Sequence, residues 1–341
     1  MLSKKQKYLS HDRSKENDKP FFKSTLLRKK VFVILCRIER IGSNYGKRGS
    51  IMSLDWFQLV LIFIVTNSAS RIIQKHALKD QDIDPTAFSA FLLFIVGILS
   101  LPLLWLEKPS ISSSLEMWLV VILSSVFYTV AMVLYYHALK GTEISQVETI
   151  ATTRSIWFMI LGIFLLGEKV NLSNFLGIAL IFGGLILIYW NKGSLKGFRK
   201  PHLYTLLFAL CISCAYALDK IALNSFSVVF YQVLVYIIPG IFTVMFIPKT
   251  FGNLKYFLKP QKNTLIILLS AVFQMISTIA LYAAYKYGGE LSVVGPLAQT
   301  STVLTILVGI VVLKERWNLK RKIFGVILVL GGVAFLKLSS Y

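Results

Sequence analysis

The sequence predicts an all-α membrane protein with ten transmembrane helices, arranged as two inverted five-helix repeats. The first observation is composition, because 55% of the 341 residues are hydrophobic and only 16% are charged, which is typical of a chain solvated by lipid. The second is that apolar runs of about 20 residues, the length that crosses a bilayer, recur from Trp56 almost to the C-terminus. The third is an internal repeat. Backbone groups in hydrocarbon must pair within their own segment, so the runs predict helices.

Residues 1–51 form a basic N-terminal tail in which Lys and Arg outnumber Asp and Glu. Basic and apolar residues alternate from Leu26 to Ile41, a pattern that favours a short amphipathic helix on anionic lipid. The interpretation that we prefer is that the native protein begins at Met52 and that an upstream start adds the tail. No small-residue cleavage site follows an adequate apolar core, so the tail does not resemble a secretory signal.

The apolar runs predict five spans in residues 52–190, a linker at 191–201 and five further spans in residues 202–341. The predicted spans are 55–74, 85–105, 116–138, 145–166, 173–190, 202–222, 227–247, 264–285, 292–313 and 322–338. The connections are short, and no soluble domain is inserted between the spans.

The internal repeat aligns 134–172 with 281–319 at a fixed offset. Chance similarity between apolar helices does not align Gly, Glu and Asn positions, so the match indicates a duplication. The identical pairs include Leu134/Leu281, Tyr135/Tyr282, Gly141/Gly288, Glu143/Glu290, Ser145/Ser292, Gly162/Gly309, Glu168/Glu315 and Asn171/Asn318. Upstream, Lys75 to Leu78 match Lys220 to Leu223. Because five is odd, the second copy enters the membrane from the opposite side, which predicts an inverted repeat.

At these residues the chain resembles the EamA family of the drug/metabolite transporter superfamily. The resemblance rests on the paired stretches Ala138 to Glu168 and Tyr285 to Glu315, each closed by an acidic turn, and on the glycine-bearing helices that follow. It implies a secondary transporter, an exporter of small polar metabolites, in the bacterial inner membrane. It does not specify a substrate.

A polar patch near the middle of the fourth span is the main candidate for a substrate site, because an ionisable group inside a membrane is costly. Arg154 lies there with Thr152 and Ser155. Its repeat partner is Ser301, which lies between Gln299 and Thr302 in the ninth span. A guanidinium at this place suits a substrate carboxylate or phosphate. The alternatives for Arg154 are a structural ion pair with Glu148 or a side chain that snorkels to the interface.

Two further groups are candidates for the same cavity. Glu148 lies one turn into the fourth span and is a candidate for coupling proton movement to transport. The alternatives are neutralisation of a cationic substrate and an ion pair with Arg71 or Arg154. In the first span the polar side chains fall on one helix face; they are Asn67, Ser70, Arg71 and Gln74. The alternative for Arg71, near the helix end, is a side chain that snorkels to the interface. Weaker cavity candidates are Gln232, Gln274, His137, Tyr216 and Asp219, and adjacent Asp219 and Lys220 are expected at the membrane interface.

Glycines on single faces of the fifth and tenth spans predict close packing between these helices. The pairs are Gly177 with Gly184 and Gly325 with Gly332.

The sequence therefore predicts a secondary transporter for a small-molecule substrate with a carboxylate or phosphate, in contact with membrane lipids and not with nucleic acid. No phosphate-binding loop is found, and neither a cofactor nor a metal is expected. The alternatives are a flippase for an anionic lipid-linked substrate and, less favoured, an intramembrane enzyme or a channel. The side of the termini stays open: Lys and Arg concentrate in the odd-numbered loops, which places the termini outside, whereas the family resemblance places them in the cytoplasm.

Overall fold

The computed structural model describes residues 55–78, 82–107, 109–142, 144–169, 171–189, 199–258, 262–304 and 319–339, and the regular structure within these ranges is helical. The helices are α1 Trp56–Ala77, α2 Pro85–Ser100, α3 Leu115–Gly141, α4 Ile144–Ala151, α5 Arg154–Leu166, α6 Leu172–Tyr189, α7 Lys200–Ala222, α8 Val228–Phe246, α9 Lys249–Leu258, α10 Lys262–Lys286, α11 Leu291–Ala298 and α12 Leu319–Ser339. A 3₁₀ turn, Leu101–Trp105, continues α2. The predicted tail, most of the linker and Glu315 lie outside the described residues.

Local sequence signals explain several helix ends. The Asp84 carboxylate accepts a hydrogen bond from the Ala87 N–H, and Pro85 occupies the first helical position of α2, where its missing N–H costs nothing. At the other end of a span, α5 stops at Gly167, whose φ of 66° lies in the left-handed region that glycine adopts without strain. These signals fix where the chain leaves the bundle and turns back.

Six helices in the described residues are long and apolar enough to cross a membrane: Trp56–Ala77, Pro85–Trp105, Leu115–Gly141, Lys200–Ala222, Val228–Phe246 and Leu265–Lys286. The other four predicted spans correspond to shorter apolar helices, Arg154–Leu166, Leu172–Leu187, Leu291–Leu304 and Phe324–Leu336. The all-helical membrane fold is therefore confirmed for these residues. The count of ten spans stays a prediction, since the ninth is described only as far as residue 304.

Two of the shorter spans are discontinuous. The fourth breaks at Thr152 and Thr153 between α4 and α5, and the ninth breaks at Gln299 and Thr300, after which helix resumes at 301–304. At both breaks the backbone forms 3₁₀-type hydrogen bonds, in which an N–H group donates to the carbonyl three residues earlier. Examples are Ser155 N–H to Thr152 C=O and Thr302 N–H to Gln299 C=O, each 3.0 Å. The two breaks occupy equivalent positions of the internal repeat.

The most extensive helix contacts join the first half of the chain to the second. They are α6 with α12, α3 with α7, α1 with α10, α2 with α8 and α5 with α11. At the crossing of α6 and α12 the helices approach closely, because a Cβ atom on Gly332 would lie 2.7 Å from the Gly177 carbonyl oxygen and one on Gly184 would lie 2.7 Å from that of Gly325. The glycine packing predicted from the sequence is therefore present in the structure.

The outer surface of the bundle is apolar. Large side chains on it include Phe164, which is 84% exposed, and Leu265, which is 75% exposed. An apolar surface of this extent suits lipid rather than water as the surrounding solvent. Polar side chains are instead buried between helices, around the centre of the bundle.

Candidate functional site

A small polar cavity lies at the centre of the bundle, with a volume of about 50 Å³. Its lining comes from both halves of the chain: Asn67, Arg71, Gln74, Ser89, Leu92, Leu93, Tyr128, Met132, Tyr135, Tyr136, Arg154, Phe208, Ile212, Tyr216, Tyr236 and Gln274. Arg71 and Arg154 are the charged residues in this lining. A volume near 50 Å³ holds one or two water molecules, each of which takes about 30 Å³ in the liquid. Binding of a metabolite therefore requires the bundle to open.

An ion pair on one side of this cavity joins the first and fourth spans. Arg71 Nη1 donates to both carboxylate oxygens of Glu148, at 2.8 and 2.9 Å. Tyr135 Oη donates to Oε1 of Glu148 at 3.4 Å, and Thr302 Oγ1 donates to Oε2 at 3.3 Å. Glu148 is 2% exposed, so the pair is desolvated and its hydrogen bonds are charge-assisted. The Arg71 guanidinium also lies 5.8 Å from the Tyr135 ring centroid.

Arg154 is the first residue of α5, beside the break in the fourth span. Its Nε donates to the free carbonyl of Ala151 at 2.9 Å, and its guanidinium lies over the Phe208 ring at 5.1 Å. Nη2 lies 3.9 Å from Glu148 Oε2 and has no hydrogen-bond partner among the described residues, although Arg154 is only 2% exposed. A buried donor of this kind is costly unless something else satisfies it.

Hydrogen bonds also tie the first span to the break in the ninth. Asn67 Nδ2 donates to Ser301 Oγ at 3.2 Å, and Ser68 Oγ donates to the Ser301 carbonyl at 2.5 Å. Side chains thus satisfy backbone carbonyls that lie beside both breaks, that of Ala151 in the fourth span and that of Ser301 in the ninth. Interrupted helices are tolerated in a membrane when the freed backbone groups find such partners.

A second charged contact lies at one end of the bundle. The Glu168 carboxylate accepts the N–H groups of Leu291 and Ser292, at 2.7 and 2.8 Å, so it caps the first turn of α11. Lys220 Nζ donates to Glu168 Oε1 at 2.6 Å and to the Gly289 carbonyl at 2.9 Å. We call Glu168, Lys220 and the start of α11 the end latch, because it joins the turn after α5 to the second half.

The family of the chain follows from its match to a family model. The model described as the EamA-like transporter family matches this chain twice, at residues 55–190 and 199–338. The chain belongs to the EamA-like transporter family. Membership of the drug/metabolite transporter superfamily follows, and the protein is a multi-pass integral membrane protein. The family is one of transporters and not of enzymes.

Curated relatives of this EamA-like protein include two uncharacterized transporters. YwfM of Bacillus subtilis is 32% identical over 124 residues, which is 34% of this chain and 39% of the relative. A transporter in the cobO 3′ region of a Sinorhizobium species is 34% identical over 71 residues, which is 21% of this chain and 50% of the relative. The chain therefore matches half or less of the length of these two relatives.

A solved crystal structure shares the fold. It superposes with a TM-score of 0.65 and 13% sequence identity, over 83% of this chain and 96% of the other. At this identity the likeness describes the fold alone.

The predicted site residues do not all reach the cavity. Asn67, Arg71, Gln74 and Arg154 line it. Ser301 accepts a hydrogen bond from Asn67, and Glu148 accepts hydrogen bonds from Arg71 and Thr302. Thr152, Ser155 and Gln299 are buried at or next to the helix breaks, and none of the three is part of the lining. The structure contains the ion pairs of Glu148 with Arg71 and Arg154, and its coupling role stays a prediction.

The structure adds several aromatic residues that the sequence interpretation did not select. Tyr128, Tyr135 and Tyr136 of α3 and Phe208 of α7 all line the cavity. A signal for three of them was present, since Ser124, Tyr128, Tyr135 and Tyr136 recur at helical spacing along one face of a predicted span. Hydroxyl-bearing side chains repeated on one face mark a helix side that avoids lipid.

The end latch gives a pH-dependent prediction. Burial raises the pKa of the Glu168 carboxyl, but the hydrogen bonds from Lys220 and the Ser292 N–H outweigh it, so the net pKa is lowered. A carboxyl whose pKa is lower in the folded state contributes stability that is complete at neutral pH and is lost as the pH falls through that pKa. We therefore expect Glu168→Gln to unfold more easily at neutral pH, by about 2 kcal/mol for the lost charge-assisted bonds.

The measurement is thermal unfolding of the purified protein in detergent between neutral pH and about pH 3, below the ordinary glutamate pKa. The difference between wild type and Glu168→Gln should shrink as the medium becomes acidic. Glu116→Gln is the control, because Glu116 is exposed in the first turn of α3 and forms none of these contacts. A difference that stays constant with pH would contradict the assigned role of the Glu168 charge.

Proposed function

We propose that this protein is a secondary transporter, with export as its direction, for small polar metabolites that carry a carboxylate or phosphate. Transport proceeds by alternating access between two inverted five-helix repeats, residues 52–190 and 202–341. The proposed substrate site consists of Arg154, Thr152, Ser155, Gln299, Ser301, Thr302, Asn67, Arg71 and Gln74. The substrate meets the side chains of this group that line the cavity, and the others support the two helix breaks.

The charge balance of the cavity is the observation that carries the anionic substrate. Two guanidinium groups, those of Arg71 and Arg154, share the single carboxylate of Glu148, so the group has a surplus of one positive charge. Arg71 holds the carboxylate closely, which leaves Nη2 of Arg154 without a hydrogen bond. An oxyanion next to Nη2 would satisfy this donor and neutralise the surplus charge.

The arrangement of helices supports alternating access. In the alignment of the repeats α1 corresponds to α7 and α3 to α10, so the contact of α1 with α10 has its counterpart in the contact of α7 with α3. Exchange of partners in this way is expected of two copies related by a two-fold axis in the membrane plane. The helix breaks at equivalent positions provide the irregular backbone that such transporters place at the substrate site.

Glu148 stays our candidate for proton coupling within this site. Its pairing with Arg71 and Arg154 links proton coupling to substrate binding, because a substrate oxyanion bound at Arg154 competes with the Glu148 carboxylate for the same guanidinium.

The proposed function is tested by a ligand screen followed by transport. We expect thermal stabilisation of the purified protein by some members of a panel of small carboxylates and phosphates, and not by their uncharged amides or alcohols. Arg154→Gln should weaken the binding of those ligands by about 10- to 100-fold, the effect of losing a charge-assisted bond. Arg154→Lys should retain part of it, since it keeps the charge but loses the planar fork.

Arg199→Gln is the matched control, because Arg199 is exposed at the start of α7, away from the cavity. The best ligand is then loaded into proteoliposomes, and its exit is followed with and without excess ligand outside. Stabilisation by uncharged analogues alone, or unchanged affinity in a folded Arg154→Gln variant, would refute the anionic site.

A further inference from the structure

A second buried carboxylate lies between four helices, apart from the arginine pair. Asp219 is fully buried near the end of α7, at 0% exposure. Its Oδ1 accepts hydrogen bonds from Ser124 Oγ at 2.6 Å and Tyr231 Oη at 2.7 Å. Its Oδ2 accepts from Tyr128 Oη at 2.7 Å and Tyr282 Oη at 3.1 Å. We call these five residues the Asp219 cluster; its hydroxyls come from α3, α8 and α10.

The Asp219 cluster contains no cation. Within the described part of the chain no Lys or Arg nitrogen forms an ion pair with Asp219. The neighbouring Lys220 turns away to Glu168 and the Gly289 carbonyl. The titratable groups near the carboxyl are the tyrosines of the cluster, Tyr216 on its own helix, Tyr236 on α8 and Tyr285 on α10. Burying an unpaired charge is expensive, so such a group gains by binding a proton.

The hydroxyl partners suit both protonation states of the carboxyl. A tyrosine or serine hydroxyl donates to a carboxylate, and the same oxygen accepts from a carboxylic acid once its own proton turns elsewhere. Tyr128 Oη and Tyr282 Oη lie 3.1 Å apart, and either atom is able to donate to the other. The pair thus gives the hydroxyl protons an alternative acceptor when Asp219 becomes neutral. A guanidinium partner, by contrast, favours the charged form of a carboxylate.

The Asp219 cluster is connected to the central cavity. Tyr128 lines the cavity with its side chain and donates to Asp219 with its hydroxyl. A proton therefore has a path of one hydroxyl group between cavity water and the carboxylate. A hydronium ion in the cavity gives a proton to Tyr128 Oη and leaves as water while the hydroxyl proton passes to Asp219 Oδ2, so that one proton is taken up and the phenol is restored.

The internal repeat shows that the acid is specific to one copy. The match of Lys75 with Lys220 makes Gln74 the counterpart of Asp219. Gln74 lines the cavity and accepts from the Tyr136 hydroxyl at 3.1 Å, so a neutral amide fills the equivalent position in the first copy. A hydrogen-bond acceptor alone would therefore serve for packing, whereas the carboxyl adds the capacity to titrate.

We propose that the Asp219 cluster is a proton-binding site, loaded and emptied through Tyr128 from the central cavity. The site holds one proton as a neutral carboxylic acid in one state of the protein and releases it in another. This inference stands independently of the anionic substrate, because proton binding is measurable without any substrate.

The test is infrared difference spectroscopy of the purified protein between mildly acidic and mildly alkaline buffer. Wild type should show the carbonyl stretch of a buried carboxylic acid that appears on acidification, and Asp219→Asn should lose that band. The exposed Glu116→Gln is the control in which the band should remain. Labelling aspartate with ¹³C in the wild type should shift the band, which tests the assignment without any substitution.

Three results would overturn the proposal: a band unchanged in Asp219→Asn, a band unmoved by labelled aspartate, and the absence of any carboxylic acid band across the pH range. Tyr128→Phe distinguishes the proposed path from burial alone. It removes the hydroxyl that joins the cavity-lining Tyr128 to Asp219, and we expect the band to appear more slowly after a pH jump, by at least about tenfold. An unchanged rate would exclude entry through Tyr128.

Discussion

Glu148→Ala is expected to lower the free energy of unfolding by about 3–5 kcal/mol, the cost of leaving a buried ion pair without one partner. The variant places Arg71 and Arg154 in the same desolvated region with no carboxylate between them. Arg154 is 2% exposed and cannot reach water without a change in the helix packing. The measurement is unfolding of the purified protein in detergent mixtures, followed by helix content.

A double-mutant cycle separates the charge effect from the loss of side-chain packing. Arg71→Met/Glu148→Gln retains the surplus of one positive charge that the wild type has. We therefore expect the double variant to be more stable than Glu148→Ala, and the Arg71–Glu148 coupling in the cycle of Arg71→Met and Glu148→Gln to be about 1–3 kcal/mol. Thr302→Val is the control, because it removes only the weaker 3.3 Å hydrogen bond from Thr302 Oγ1 to Glu148. It should lower the free energy of unfolding by less than Arg71→Met or Glu148→Gln does. Additive single effects would show that the ion pair contributes no coupling energy.

The long spans were predictable because their signal is local. A run of about 20 apolar residues is enough to identify a membrane helix, whatever it packs against. The glycine contacts between α6 and α12 were predictable for a similar reason, since Gly177 and Gly184 lie seven residues apart on one face and the repeat reproduces the pattern at Gly325 and Gly332. Spacing along one helix carries this information.

The helix breaks were not predictable from the same signal. The break in the fourth span falls at two threonines, Thr152 and Thr153, and not at a glycine or proline. From the sequence the fourth span is therefore predicted as one continuous apolar helix. The break forms where side chains can bond the freed backbone, as Arg154 Nε does at the Ala151 carbonyl. Such compensation depends on tertiary contacts in addition to local propensity.

Asp219 shows the same limit at the site. Its position near the end of the sixth predicted span, next to Lys220, favours the membrane interface. In the structure Lys220 is part of the end latch, at one end of the bundle, whereas the Asp219 side chain is buried inside the bundle. Its four hydroxyl partners belong to the third, seventh and eighth spans, between 12 and 95 residues away in sequence. Only the packing of those helices brings them together.

The contact between α6 and α12 yields the last prediction, because neighbouring glycines provide matched controls. A Cβ atom on Gly332 would lie 2.7 Å from the Gly177 carbonyl oxygen, whereas one on Gly331 meets nothing within 4 Å. The same contrast holds for Gly184, which would meet the Gly325 carbonyl, and its neighbour Gly183. The main obstacle in each case is backbone, which does not move aside as a flexible side chain does.

We expect Gly184→Ala/Gly332→Ala to lose about 2–6 kcal/mol of stability, from about 1–3 kcal/mol for each overpacked position if the effects add. The control Gly183→Ala/Gly331→Ala should be neutral or more stable by up to about 1 kcal/mol per residue, since alanine favours helix over glycine. Thermal unfolding of both double variants in the same detergent gives the comparison. Equal stability of the two would mean that α6 and α12 separate readily, and that glycine at these positions serves movement between the repeats instead of a fixed contact.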